Sequence, residues 1–179
     1  MVTVRKARLE DAEHIAEVHD KTWRSTYEPI IKEADLQQVK SFQTRKIMWE
    51  TALQSSKINQ DVFVAVNEND EVLGFISGGK ERTENFDYEG EIYDIYILEQ
   101  YQGEGVGRLL LKAFVDSCEE NGYTSLLVWI LTKNPAGRFY TRHGAAKVEA
   151  ENVTIGEGTY EETAYGWKDL NELKHNLSN

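Results

Sequence analysis

The tightest constraint on the fold lies in the middle of the chain. Glu91–Leu98 reads as a long strand, and the glycine-rich turn Gln102-Gly-Glu-Gly-Val-Gly-Arg108 follows it. Glu104–Asn121 then has the apolar spacing of a strong amphipathic helix, ended by Asn121-Gly122 as a left-handed cap. Leu126–Leu131 is an apolar run typical of a central strand. A strand, a helix and a second strand in this order predict two parallel neighbours joined across one face of a sheet. Three glycines between residues 103 and 107 weaken any regular element, so their use is close backbone approach to a ligand. A helix N-terminus adds unpaired N–H donors and a positive dipole end, which suit phosphate groups.

The flanking sequence adds further elements. Val2–Arg8 alternates as a strand, and Asp11 is placed to cap a helix running to about Trp23. A short helical turn is expected at Leu36–Val39, and Ser41 is placed to cap a helix carrying Phe42, Ile47, Trp49 and Leu53. Val62–Asn67 and Val72–Lys80, separated by Glu68-Asn-Asp70, form a hairpin signal. Pro135 opens a short helix through Tyr140 that stops at Gly144, and Ala146–Thr154 with Thr159–Lys168 reads as a closing antiparallel pair. The order β-α-α-β-β-β-α-β-α-β-β predicts one α/β (α+β) domain over residues 1–179. Its mixed, mostly antiparallel central sheet should hold about six to seven strands flanked by helices.

Composition removes several classes of function. Hydrophobic residues make up 40% of the chain, enough to fill a core. The apolar runs are too short to span a bilayer and the N-terminal residues lack an apolar signal region, so a cytoplasmic location without a membrane partner is expected. The single cysteine, Cys118, continues the helical stripe Val106, Leu110, Phe114 and reads as a buried thiol. The four histidines form no ligand pattern, and no metal site is expected. A net charge of −11 repels nucleic acid and attracts cations. The dinucleotide fingerprint fails because Arg108 or Leu110 stands where its last glycine belongs, and no Gly-Lys-Ser/Thr triplet exists for a P-loop.

The turn does fit Q/R-x-x-G-x-G/A, the acetyl-CoA motif of the GNAT superfamily of N-acetyltransferases. The similarity extends from Glu91 through Leu111 and to Asn134-Pro-Ala-Gly-Arg-Phe-Tyr140-Thr-Arg-His-Gly144. Arg8-Leu-Glu-Asp-Ala and Glu162-Thr-Ala-Tyr-Gly-Trp167 also resemble one branch of that family. The chain departs from the pattern in Glu99 for a usual proline, Ala145 for a usual phenylalanine, and one residue fewer between Asn134 and Tyr140.

The resemblance implies that backbone N–H groups of Gly103, Gly105, Val106, Gly107 and Arg108, on the turn begun by Gln102, hold the CoA pyrophosphate. The strand end Ile97, Leu98 and Glu99 would pair with the pantetheine arm, with Ile97 N–H at the thioester oxygen, and Asn134 would be a further cofactor contact. Arg108, Lys112, Lys133, Arg138 and Arg142 would supply cations for a polyanion. The resemblance also casts Tyr140 as proton donor to the departing sulfur and puts Trp23 and Tyr27 in the acceptor wall. Packing within the first helix is the other reading of Trp23. Strand alternation puts residues 91, 93, 95 and 97 on one face, making Glu91 and Tyr93 candidates to face the acceptor, with Asp94 opposite. The resemblance makes Glu91 the candidate base, because it matches a position where several family members keep a basic glutamate. An exposed strand-start residue is the alternative for Glu91.

The expected activity is direct acetyl transfer from acetyl-CoA to a primary amine of a small molecule or peptide, with cationic acceptors favoured. The alternative is a non-catalytic acyl-CoA-binding or sensing module on the same fold. The oligomeric state is left open, a homodimer among the options.

Overall fold

A computed structural model describes residues 1–37, 41–54, 60–84 and 86–178. In chain order the strands are β1 (Thr3–Lys6), β2 (Gln60–Val66), β3 (Val72–Lys80), β4 (Gly90–Ile97), β5 (Leu126–Leu131), β6 (Ala146–Ile155) and β7 (Gly158–Trp167). The helices are α1 (Ala12–Tyr27), α2 (Glu33–Leu36), α3 (Phe42–Gln54), α4 (Val106–Glu120), α5 (Gly137–Arg142) and α6 (Leu170–Ser178). The seven strands form one sheet in the order β1-β2-β3-β4-β5-β7-β6. Among the described residues β4 and β5 are the one parallel pair. The glycine turn and α4 make their crossover, as the strand–helix–strand pattern predicts.

Period-two side chains divide the core into two layers. Val62 and Val64 of β2 pack with Ile15 and Ala16 of α1 and Trp49 of α3 on one face. Ala65, Ile76, Ile92 and Val128 pack under Leu110, Leu111 and Phe114 of α4 on the other. Cys118 is buried in that second layer, and burial pushes its thiol up to about 12, well away from a reactive thiolate. Ser41 Oγ accepts the Thr44 N–H at 3.3 Å, the expected cap of α3. Among the described residues no helix is long and apolar enough to cross a membrane, and no acidic, histidine or cysteine group could hold a metal ion.

Two elements differ from expectation. The helical turn foreseen at Leu36–Val39 begins earlier, at Glu33, and residues 38 and 39 lie outside the described residues. A helix not anticipated, α6, follows β7. Its residues Leu170, Leu173 and Leu177 share one face and are buried against α4, and Asp169 caps it through Asn171 N–H at 2.9 Å.

The feature that shapes the functional face is a break in β4. Residue pairing with β3 runs Ser77↔Asp94 and then Gly78↔Ile92, so Tyr93 is an extra residue, a β-bulge. Pairing with β5 runs through Ile92↔Val128 and ends there. Opposite the bulge, a Cβ on Gly78 would lie 2.3 Å from Phe114 Cζ and 2.4 Å from the Glu91 carbonyl oxygen, so only glycine fits without displacement. Gly78→Ala should therefore lower thermal stability by about 1–3 kcal/mol, read from calorimetric melting. A melting curve that overlays the unsubstituted protein would contradict the crowding at the bulge.

Candidate active site

Beyond Ile92 the β5-facing edge of β4 loses its pairing partner. Leu98 N–H donates to Leu73 O at 2.9 Å, so the antiparallel alternation with β3 turns the backbone groups of Tyr96 inward and those of Ile95 and Ile97 outward. The outward direction is visible at Ile97, whose carbonyl accepts Gln102 Nε2 at 2.9 Å. The N–H groups of Ile95 and Ile97 thus lie along an open strand edge, which an extended ligand carrying amides can complete as an added strand. Leu98 N–H is already committed to β3.

The glycine turn ends beside that edge. Gly103 and Gly105 have φ of 80° and 86°, the left-handed region that favours glycine. The first bond of α4 runs from Leu109 N–H to Gly105 O at 3.2 Å, which puts the N–H groups of Val106, Gly107 and Arg108 ahead of the helical ladder. A Cβ on Gly107 would meet Ile97 Cδ1 and Phe139 at 3.3 Å, so glycine lets the helix start close on β4 and α5. The guanidinium of Arg108 departs from its expected place among the flanking cations. Its Nε and Nη2 donate to Leu177 O at 2.9 and 2.5 Å and bind α4 to the end of α6. The side chains of Lys112, Lys133, Arg138 and Arg142 are exposed.

Tyr140 lies on the α4 side of the sheet, 1% exposed, with its ring against Phe139 and Trp167. Burial pushes its hydroxyl well above the ordinary range, with the charges of Tyr27 and Asp94 adding to the shift. A phenol in this setting keeps its proton at neutral pH.

On the opposite face the bulge corrects the expected alternation. Ile92, Ile95 and Ile97 all pack into the α4 layer, while Tyr96 packs with Phe75 and His19 beneath α1. Residues 91, 93, 95 and 97 therefore do not share a face, and Asp94 lies on the α1 side rather than behind the sheet. Glu91 is 1% exposed and accepts the Arg82 backbone N–H at 3.0 Å and Arg82 Nη2 at 2.7 Å. The same guanidinium stacks 3.9 Å over the Tyr93 ring, whose hydroxyl donates to Lys80 O at 2.5 Å. The carboxylate of Glu81 shapes this loop by accepting Thr83 N–H and Glu84 N–H at 2.8 and 2.6 Å.

The α1 side is lined by linked polar groups. The Trp23 and Tyr27 rings lie in tilted contact, 4.8 Å between ring centres, and Tyr27 hydroxyl accepts Asn134 Nδ2 at 3.0 Å while also bonding to Tyr96 hydroxyl. Asn134 Oδ1 accepts Ala136 N–H at 2.9 Å, so Asn134 ties the start of α5 to the α1 wall. Asp94 accepts Ser77 Oγ at 2.9 Å and lies 4.0 Å from His19 Nε2, which in turn lies 2.6 Å from Arg45 Nη1. Glu151 and Glu162 stand directly opposite each other on β6 and β7. Burial, then Glu151, pushes Glu162 up to about 7. Arg82, Tyr96 and the His19–Arg45 pair were not among the residues singled out from the sequence, and Asp94 was expected on the opposite face. The one sequence signal for the Asp94 displacement was the Gly78-Gly79 pair, which lies across from Ile92 and Glu91 just before the bulge.

Comparison with known proteins agrees with this geometry. The model of the acetyltransferase (GNAT) family matches residues 15–145. The chain is 39% identical over 174 residues to YuaI of Bacillus subtilis (strain 168), described as an uncharacterised N-acetyltransferase, with 97% of each chain covered. Its fold resembles the PaiA N-acetyltransferase of Thermoplasma acidophilum, solved in complex with coenzyme A, with a TM-score of 0.70 at 21% identity over 90% of this chain and 98% of that one. YncA of Salmonella typhimurium, solved with acetyl-CoA, gives a TM-score of 0.69 at 23% identity over 95% and 94% of the two chains. The mixed sheet opened after Ile92, the glycine turn at the start of α4 and the family match over residues 15–145 together establish that this chain belongs to the GNAT acetyltransferase family.

Proposed function

We propose that this protein moves the acetyl group of acetyl-CoA directly to a primary amine of a small molecule or peptide. The observation that carries the reading is the open edge of β4 ending at the glycine-rich start of α4. Acetyl-CoA, consumed as a substrate, supplies an activated thioester. The turn from Gln102 to Arg108 suits its pyrophosphate, because successive backbone N–H groups and the helix dipole meet there. Ile95 and Ile97 N–H groups suit the amides of the pantetheine arm, and Ile97 N–H is positioned to stabilise charge that develops on the thioester oxygen.

The two faces then divide the work. Tyr140, protonated at neutral pH, donates to the departing sulfur from the α4 side. The amine arrives from the α1 side, walled by Trp23 and Tyr27, with Tyr93 on its floor. Asn134 supports this wall through Tyr27, and a contact with the pantetheine arm is proposed for its amide as well. The base is one of the two carboxylates on this face, Glu91 or Asp94. Net acidity, together with Glu151 and Glu162 nearby, favours an acceptor that arrives as a cation.

Two variants test the assignment. A β-branched residue is strained at φ 86°, so Gly105→Val should weaken acetyl-CoA binding at least roughly tenfold in calorimetry while circular dichroism stays native. Unchanged affinity in the folded variant would remove the turn from the binding site. Tyr140→Phe should lower kcat by about 10²–10⁴ with little change in acetyl-CoA affinity. A mutant with the original kcat would leave Tyr140 as a packing residue.

A further inference from the structure

The bulge gives the two carboxylates of the acceptor face different surroundings. The Glu91 side chain is 2% exposed, and its oxygens accept the Arg82 backbone N–H and guanidinium. The Asp94 side chain is 27% exposed, with Oδ2 on Ser77 of β3 at 2.9 Å. His19 of α1 stands 4.0 Å from Oδ1, and Arg45 of α3 lies behind it. Arg82 forms its ion pair with Glu91, and the charge of Asp94 is a weaker influence on the same guanidinium. The charge of Asp94 is felt at the hydroxyls of Tyr27, Tyr96 and Tyr140. An unbroken strand would have turned this side chain into the α4 layer, and the extra residue at Tyr93 brings it round to the acceptor side.

Resting on the reading of this site as an amine acetyltransferase, we propose that Asp94 receives the acceptor ammonium and takes its proton, while Glu91 fixes Arg82 over Tyr93. The proton passes from R–NH3⁺ to the Asp94 carboxylate and on to solvent. The freed lone pair forms the C–N bond at the thioester carbon, and the C–S bond breaks with its electron pair on sulfur. Sulfur takes the Tyr140 proton, and the second proton of the acylated nitrogen returns through water to the tyrosinate. The sum is one amide, one thiol and one proton released.

The test uses the full chain with acetyl-CoA and 1,4-diaminobutane between about pH 6 and pH 10, the range over which an alkyl ammonium titrates. Calorimetry of the diamine against CoA-saturated protein gives a second readout that needs no turnover. Asp94→Asn should lower kcat/KM about 10²-fold near neutral pH and move the profile towards alkaline pH, because the amine must then deprotonate in bulk water. Diamine binding should weaken about tenfold. Asp94→Ser, which keeps a partner for Ser77, should behave the same way. Asp94→Glu should restore the position of the profile, and Glu91→Gln should keep that position whatever its rate. Asp94 variants whose profile and diamine affinity overlay the wild type would overturn the proposal, as would an alkaline shift carried by Glu91→Gln instead. A wild-type protein that consumes no acetyl-CoA with any amine contradicts the transferase reading, and unchanged diamine binding in Asp94→Asn contradicts the role of Asp94 separately.

Discussion

One inserted residue in β4 governs how this molecule can work. Two parallel strands that stay paired to their ends offer no main-chain donors to a ligand, and β4 and β5 pair only as far as Ile92 and Val128. The bulge at Tyr93 bends β4 while its pairing with β3 resumes at Asp94, so the strand stays anchored on one side and opens on the other. The glycine at 78 makes the bend possible, because the Phe114 ring and the Glu91 carbonyl fill the space a side chain would need. Main-chain groups left at such an edge are costly unless they meet water or a ligand, which makes the opening a natural seat for an extended chain of amides.

The same insertion sorts the charges. Tyr140 stays in the apolar layer under α4, where burial holds its proton, while Asp94 moves to the side that carries Trp23 and Tyr27. The gap between β4 and β5 therefore has a protonated phenol on one face and a carboxylate on the other. Around it, Glu91 is buried but matched by Arg82, as a charge removed from water must be. Glu162, opposite Glu151, is pushed up to about 7 by burial and by that neighbouring carboxylate. The acidity of the sequence is thus partly concentrated on the face where an amine would enter.

The architecture was legible because periodicity and turn chemistry are local. The crossover from β4 through the glycine turn to β5, the cap at Ser41 and the closing hairpin each follow from a short window of sequence. The helix α6 obeys the same local rule, with Leu170, Leu173 and Leu177 at helical spacing after Asp169. The bulge was of another kind. It arises from a fit between Gly78, Phe114 and Glu91, residues far apart in sequence, and strict alternation puts Asp94 on the wrong face without that fit. Long-range pairs hid in the same way: the tie from Arg108 to Leu177 and the link from Asn134 to Tyr27 are tertiary contacts that no spacing rule contains.

The central claim is that the opened edge of β4 is where the acetyl donor lies. Residue-resolved amide hydrogen exchange with and without acetyl-CoA tests it most directly. The N–H groups of Ile95 and Ile97 should gain protection when acetyl-CoA is added, together with those of Val106 and Gly107, while Tyr96, already paired with β3, should change little. Saturating acetyl-CoA that leaves exchange at Ile95 and Ile97 unaltered would contradict the account.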